Sequence, residues 1–310
     1  MDADRPKFGI APALRLVNAT RSATEAIQIR LEVRQMAKVW FVTGASRGIG
    51  AQIASAVLQA GHRLVATARR KESLASLPQS EDVLCLSLDV TIEEQARTAV
   101  GEAMQQFGQI DVLVNNAGYG LLGAVEETSS KEAKAIYETN VFGLLNVTRA
   151  VLPVMRKQGS GHIINMSSLG GYQASPGWGV YGSTKFAVEG ITEALYAELK
   201  PLGIHATVIE PGFFRTDFMD ASSLIRAAVE IDDYKNTLGK TRSFAEENNR
   251  QQPGDPAKLA IALLNLAALA DPPVRLQLGS DAVKRIEQKN AFVQAESQRW
   301  LALSMSTDFR

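Results

Sequence analysis

The chain has 310 residues, with 33 Lys and Arg against 33 Asp and Glu, one cysteine and three histidines. That length holds one large α/β domain or two small ones, and zero net charge leaves no basic excess for nucleic-acid phosphates. Cys85 alone excludes a disulfide framework and a multi-thiolate zinc site, and fits a reducing, cytoplasmic compartment. His62, His162 and His205 lack ligand-type spacing, so no metal is expected. No apolar run reaches the roughly 20 residues of a spanning helix; the longest, 259–270, reads as a buried helix.

Residues 1–35 carry six basic and four acidic side chains and no settled hydrophobic period. They read as a translated leader upstream of a true first residue at Met36. Asp2 and Asp4 argue against a targeting peptide, and a helical extension packed on the domain or a neighbour is the remaining reading. From Met36 to Arg310 one domain is expected. Apolar strand-like runs fall at 38–43, 63–67, 83–88, 110–114, 161–167, 203–209 and 273–279, with helical patterns at 48–60, 91–107, 131–158, 180–200 and 255–270. Runs such as Ile110–Val114 are nearly continuous in apolar residues, as in strands covered on both faces. The alternation predicts an α/β fold with a doubly wound parallel sheet of about seven strands. The stretch 213–256 interrupts it as an irregular candidate lid, and a polar helix over 281–302 closes the chain.

Thr43-Gly-Ala-Ser-Arg-Gly-Ile-Gly50 joins the first strand to the first helix. Its glycines let backbone approach a ligand, and the helix N-terminus offers free N–H groups to a pyrophosphate. The bland alternative is a tight turn without ligand. Gly44-Ala-Ser46-Arg-Gly48 also matches the Gly-x-Ser-x-Gly nucleophile elbow of serine hydrolases. An elbow rarely follows the first strand, and His205 opens a strand instead of lying in a distal loop, so this rival is disfavoured. The second strand ends in Ala68, where an acid would bind the ribose hydroxyls of NAD, and Arg69 and Arg70 follow. A guanidinium there can pair with a 2′-phosphate, with Arg47 joining from the glycine turn. NADP(H) is therefore the expected cofactor; solvated surface arginines are the alternative.

Tyr181 and Lys185 stand at i and i+4, on one face of a helix. An ammonium near a phenol favours phenolate, predicting a tyrosine pKa lowered from about 10 and a general acid or base. The run Gly161–Ser168 reads as a strand whose end delivers a serine hydroxyl to the sheet edge. Ser168 is favoured over Ser167, which alternation points to the other face.

Together these motifs resemble the short-chain dehydrogenase/reductase family, over Met36 to roughly Ala282, and imply its Rossmann-like fold. The resemblance implies a proton-transferring Tyr181, a substrate-orienting Ser168, and Lys185 on the nicotinamide ribose. Asn140, in Glu138-Thr-Asn-Val-Phe-Gly143, would hold a relay water, or merely satisfy backbone. Cofactor contacts are implied at Gly44, Ser46, Arg47, Gly48, Ile49, Gly50, Arg69, Asp89, Val90, Asn116, Ala117, Gly118, Tyr181, Lys185, Pro211, Gly212 and Thr216. The implied reaction interconverts a carbonyl and an alcohol. Phe213, Phe214, Phe218, Met219, Leu224 and Ile225 point to an apolar, bulky substrate or to ordinary lid packing, with Tyr172–Trp178 as the opposite wall. The family's habit implies a homodimer or homotetramer through the helices carrying Asn140 and Tyr181. Phe186, Ile191, Leu195 and Leu199 supply a stripe that a core-facing helix would equally show. A catalytically silent NADP sensor on this fold would lose Tyr or Lys, and both are present.

Overall fold

The computed structural model describes residues 37–309 except Asn248, and the expectations for residues 1–35 lie outside them. Lys38–Arg310 forms one compact unit. β1 (Val39–Thr43) is buried at every position, and its side chains alternate between two cores. Val39 and Phe41 pack on one face, Trp40 and Val42 on the other. A strand wrapped on both faces has no reason to alternate in polarity, which explains its continuous apolar run.

Helix α1 (Gly48–Gln59) leads to β2 (Arg63–Ala68) and β3 (Val83–Ser87), followed by α2 (Glu93–Phe107), β4 (Val112–Asn115) and a short β5 (Gly120–Leu122). The helical pattern expected over 131–158 is broken into three pieces. α3 (Ser130–Tyr137) starts on a capping box between Ser129 and Glu132. A π-helical turn, Glu138–Gly143, follows, then α4 (Leu144–Gln158). Next come β6 (Gly161–Met166), α5 (Gly179–Leu199), β7 (Ile204–Pro211), β8 (Leu224–Arg226), α6 (Lys235–Glu247) and α7 (Pro256–Ala267). β9 (Arg275–Leu278), α8 (Ser280–Arg299) and α9 (Leu301–Met305) complete the order.

The main sheet has seven parallel strands in the order β3-β2-β1-β4-β6-β7-β9. This is the doubly wound sheet expected. α2, α4 and α5 cover one face through residues such as Ala99, Val151 and Leu195. α1 and α7 cover the other through Ile53, Val57, Leu263 and Leu266. Strand order reverses between β1 and β4, so their carboxyl ends diverge and open a crevice there.

Two expectations change. The stretch 213–256 is not irregular: β8 pairs in parallel with β5, Leu121 opposite Ile225, and α6 occupies Lys235–Glu247. Three-residue strands and a polar helix carry too little periodicity to be read locally. The stripe on α5 also resolves: Ile191, Leu195 and Leu199 pack into the core, and only Phe186 of the four stays exposed, at 44%.

Candidate active site

A cleft of about 1160 Å³ opens along the carboxyl edge at the β1/β4 reversal. Of the residues expected for the substrate walls, Leu224, residues 172–174 and Gly177 stay off its lining; of the catalytic and cofactor-binding residues expected, all but Gly50 and Asn140 line it. Those two act behind its wall. A Cβ on Gly50 would strike the Gly44 carbonyl, so this position lets α1 start directly under the turn. Gly44 and Gly48 hold φ of +64° and +54°, which L side chains rarely adopt. The first turn of α1 has neither a side-chain cap nor an acidic residue, so its N–H groups stay available to an anion.

The turn is braced by Thr43 and Asn116, in a role that their motifs did not indicate. Thr43 Oγ1 accepts from the N–H groups of Asn116 (2.9 Å) and Ala117 (3.0 Å). Asn116 Nδ2 donates to the carbonyls of Thr43 and Gly44, each at 3.0 Å. Asn116 thus spends its amide on tying β4 to the glycine turn. Below it, Asn115 donates to Asn165 and Asn165 to Thr192, both at 2.9 Å, a buried polar chain crossing from β4 through β6 to α5. Such groups must be paired when buried, and pairing them fixes the register of the strands that carry the site.

Arg47 does not stand free beside Arg69 and Arg70. Its Nη2 donates to the Ser222 carbonyl at 2.5 Å, and its Nε lies 3.6 Å from Asp217, so the 213–256 stretch engages it. Arg69 and Arg70 remain exposed on the cleft wall beyond Ala68. Asp89 Oδ1 accepts from Thr91 N (3.0 Å) and Thr91 Oγ1 (2.7 Å). Val90 packs against Gly143 of the π turn.

The side chain of Asn140 is fully occupied by protein. Oδ1 accepts from Tyr119 N (3.1 Å), while Nδ2 donates to Tyr119 O (3.0 Å) and Thr184 Oγ1 (3.2 Å). Its amide thus ties the Tyr119 backbone to Thr184. The widened π turn that carries it sits beside Gly118 and Lys185.

Ser168 stands at the end of β6, its Oγ accepting from Gly170 N at 3.0 Å and hydrogen-bonded to the Tyr181 phenol. Ser167 turns inward, 3.5 Å from the Lys185 carbonyl. Trp178 meets the Tyr181 ring edge-on at 5.6 Å and Phe218 tilts against it at 5.8 Å. Burial pushes the Tyr181 phenol up to about 12, against the pull of the Ser168 hydrogen bond. Lys185 is brought down to about 8 by burial, with Glu189 working the other way. Lys185 Nζ donates to the Met166 carbonyl at 2.7 Å and lies 6.0 Å from the centre of the Tyr181 ring. The direction is opposite to the lowered tyrosine pKa expected: burial is the largest influence on the phenol and keeps it protonated, and the Ser168 hydrogen bond offsets burial only in part.

Beneath Lys185 lies a buried acid pair absent from the sequence reading. Glu189 on α5 and Glu210 at the end of β7 lie close together, each with one buried carboxylate oxygen that no hydrogen bond from the described residues satisfies. Arg275 from β9 donates to Glu189 at 3.2 Å and lies 3.8 Å from Glu210. Burial raises Glu189 to about 7, and raises Glu210 as well. Asp281, likewise missed, accepts from Phe213 N at 2.8 Å and so holds the loop after Gly212. Thr216 Oγ1 is a local turn acceptor for Phe218 N at 3.2 Å.

No histidine lines the cleft. His205 pairs with His162 at the amino ends of β6 and β7, across the sheet from Ser46. The elbow-like spacing therefore has no base to activate it. Among the described residues no cluster of three or more His, Cys, Asp or Glu could hold a metal ion, and no helix is long and apolar enough to cross a membrane.

The short chain dehydrogenase family model matches residues 38–224. Oxidoreductase BOA17 of Botryotinia fuckeliana is 38% identical over 275 residues, spanning 88% of this chain and all of that one. A 3-ketodihydrosphingosine reductase of Bacteroides thetaiotaomicron is 36% identical, over 78% of this chain and 88% of its own. A crystal structure of a short-chain dehydrogenase from Streptomyces avermitilis superposes with a TM-score of 0.82 at 40% identity, over 88% of this chain and all of that one. The chain belongs to the short-chain dehydrogenase family and is an oxidoreductase of that fold.

Proposed function

We propose that this protein reduces an apolar ketone or aldehyde at the expense of NADPH, and oxidises the corresponding alcohol in reverse. The observation that carries this reading is the Tyr181 phenol, protonated, hydrogen-bonded to Ser168 and walled by Trp178 and Phe218 in the crevice beside Lys185. When bound there, a nicotinamide dinucleotide supplies the hydride. The donor set fits it: an uncapped helix N-terminus for the pyrophosphate, Arg69 and Arg70 for a 2′-phosphate, and no acid at Ala68. Ser168 donates to the substrate oxygen, and Tyr181 passes its proton to that oxygen as the new C–H bond forms. Lys185 stabilises the phenolate left behind, a charge the burial of Tyr181 otherwise opposes. Phe213, Phe218 and Met219 favour an apolar substrate, and the sphingoid substrate named for the Bacteroides relative is of that kind. We further propose a cytoplasmic homodimer or homotetramer, joined where Phe142 and Phe186 stand exposed at 47% and 44%.

The test is a steady-state screen of aldehydes and ketones of graded size with NADPH and NADH. NADPH is expected to give the higher kcat/KM. Tyr181→Phe is expected to bind NADPH normally and lose about 10²–10⁴-fold in turnover. Near-native turnover in that variant, or equal efficiency with NADH, overturns the respective half of the proposal.

A further inference from the structure

Six cations line the cleft, Arg47, Arg69, Arg70, Lys185, Lys240 and Arg285, against the two acids Asp89 and Asp217. Arg47 is neutralised by Asp217. Arg69 and Arg70 stand at the end of β2 where the cofactor phosphate is assigned, and Lys185 belongs to the catalytic helix. Lys240, exposed on α6, and Arg285, half-buried on α8, are left without a role.

Arg285 is the unusual one. Its Nη2 donates to Ser175 Oγ at 2.6 Å and its Nε to Gln173 Oε1 at 3.3 Å. Both acceptors are neutral, and among the described residues no carboxylate pairs with it. The comparably sheltered Arg242 and Arg275 each have carboxylate partners, at 2.7 Å from Glu127 and 2.6 Å from Glu193. A sheltered cation without a counter-ion is costly, and a planar guanidinium with unused N–H donors facing a cleft is matched to a carboxylate. Ser175 and Trp178 belong to one short wall segment, and Trp178 contacts the Tyr181 ring. The guanidinium thus props the wall against which the reacting carbonyl must lie, while Phe213, Phe218 and Phe244 supply apolar surface in the same cavity.

Resting on the reductase reading above, we propose that the substrate is an apolar oxo-acid, its carboxylate held by Arg285 with Lys240 adding positive field from the lid. Arg285 is a specificity residue in this scheme and takes no part in the hydride and proton steps.

The experiment uses the full chain, the preferred cofactor and medium-chain oxo-acids of graded length, each paired with its methyl ester. At the best chain length the wild type is expected to favour acid over ester by roughly tenfold or more in kcat/KM, chiefly through KM. Because Arg285 also props the Gln173–Ser175 wall, the quantity read is the acid-to-ester ratio and not the absolute rate. Arg285→Gln is expected to bring that ratio toward one, and Arg285→Lys to keep part of it. A wild-type ratio near one at every length, or a preference that survives Arg285→Gln, overturns the proposal and leaves the reductase reading standing. Absence of turnover with either cofactor instead overturns the reductase reading. A binding arm then still reads the anion site, by tryptophan fluorescence of Tyr181→Phe loaded with NADPH. Acid binding about tenfold tighter than ester, lost on adding Arg285→Gln, supports the site; equal binding removes it.

Discussion

Tyr181 is set by two opposing effects. Burial favours the neutral phenol, and Ser168 is the hydrogen-bond partner that works against burial. Losing Ser168 removes that counterweight and one donor to the substrate oxygen, so Ser168→Ala is expected to cut kcat by roughly 10²-fold. Cofactor affinity, measured by fluorescence titration, should stay near wild type; a drop in affinity matching the drop in kcat would show a collapsed site instead. Tyr181 and Lys185 could be placed side by side from the sequence because both sit on one helix, where spacing fixes direction, whereas Ser168 lies two residues beyond the end of β6. Thr43 and Asn116 were not legible in their bracing role. Their partners lie 72–74 residues apart in the chain, across neighbouring strands.

Helix α5 carries Tyr181, Lys185 and Glu189 at successive four-residue steps, so one helix face runs from the chemistry to the buried acid pair. Glu210 immediately precedes Pro211-Gly212, so the pair joins α5 to the strand that leads into the 213–256 stretch. Glu189 rises to about 7 in the folded protein from 4.5. Between those values the folded state holds more protons than the unfolded state, so this group's contribution to stability falls as pH rises from about 4.5 to about 7. Glu189→Gln cannot pay that cost. It is expected to match the wild type at pH 5 and to exceed it in thermal unfolding temperature at pH 8. A variant less stable at pH 8 would mean that both carboxylates are ionised around Arg275 and bind it favourably. The lid is tied down by a different acid: Glu127, buried behind β5, accepts from Arg242 of α6 at 2.7 Å and from Ile231 N at 2.8 Å. These ties order a segment whose own sequence pattern predicted only irregular chain.

In the molecule as a whole, strand order sets the location of everything else. Reversal between β1 and β4 separates two strand ends, and every line of chemistry converges on that gap. The same packing turns Ile191, Leu195 and Leu199 inward and leaves Phe186 exposed. Sedimentation at micromolar concentration is expected to show a dimer or tetramer, and Phe186→Glu to shift it toward monomer. A wild-type monomer would remove the assembly.

The sequence by itself determined the layered parallel sheet, the glycine turn and the Tyr181–Lys185 pair, because strand and helix periodicity and short-range spacing are local properties. Only the tertiary structure decided that Arg47 meets Ser222 and Asp217, that Asn140 spends its amide on Tyr119 and Thr184, and that Glu189, Glu210 and Arg275 meet beneath the site. Each of these turns on which partner competes for a polar group, and the competitors arrive from other strands and helices. The pKa of Tyr181 followed the same rule: burial, its largest cause, comes from packing that spacing along one helix does not show.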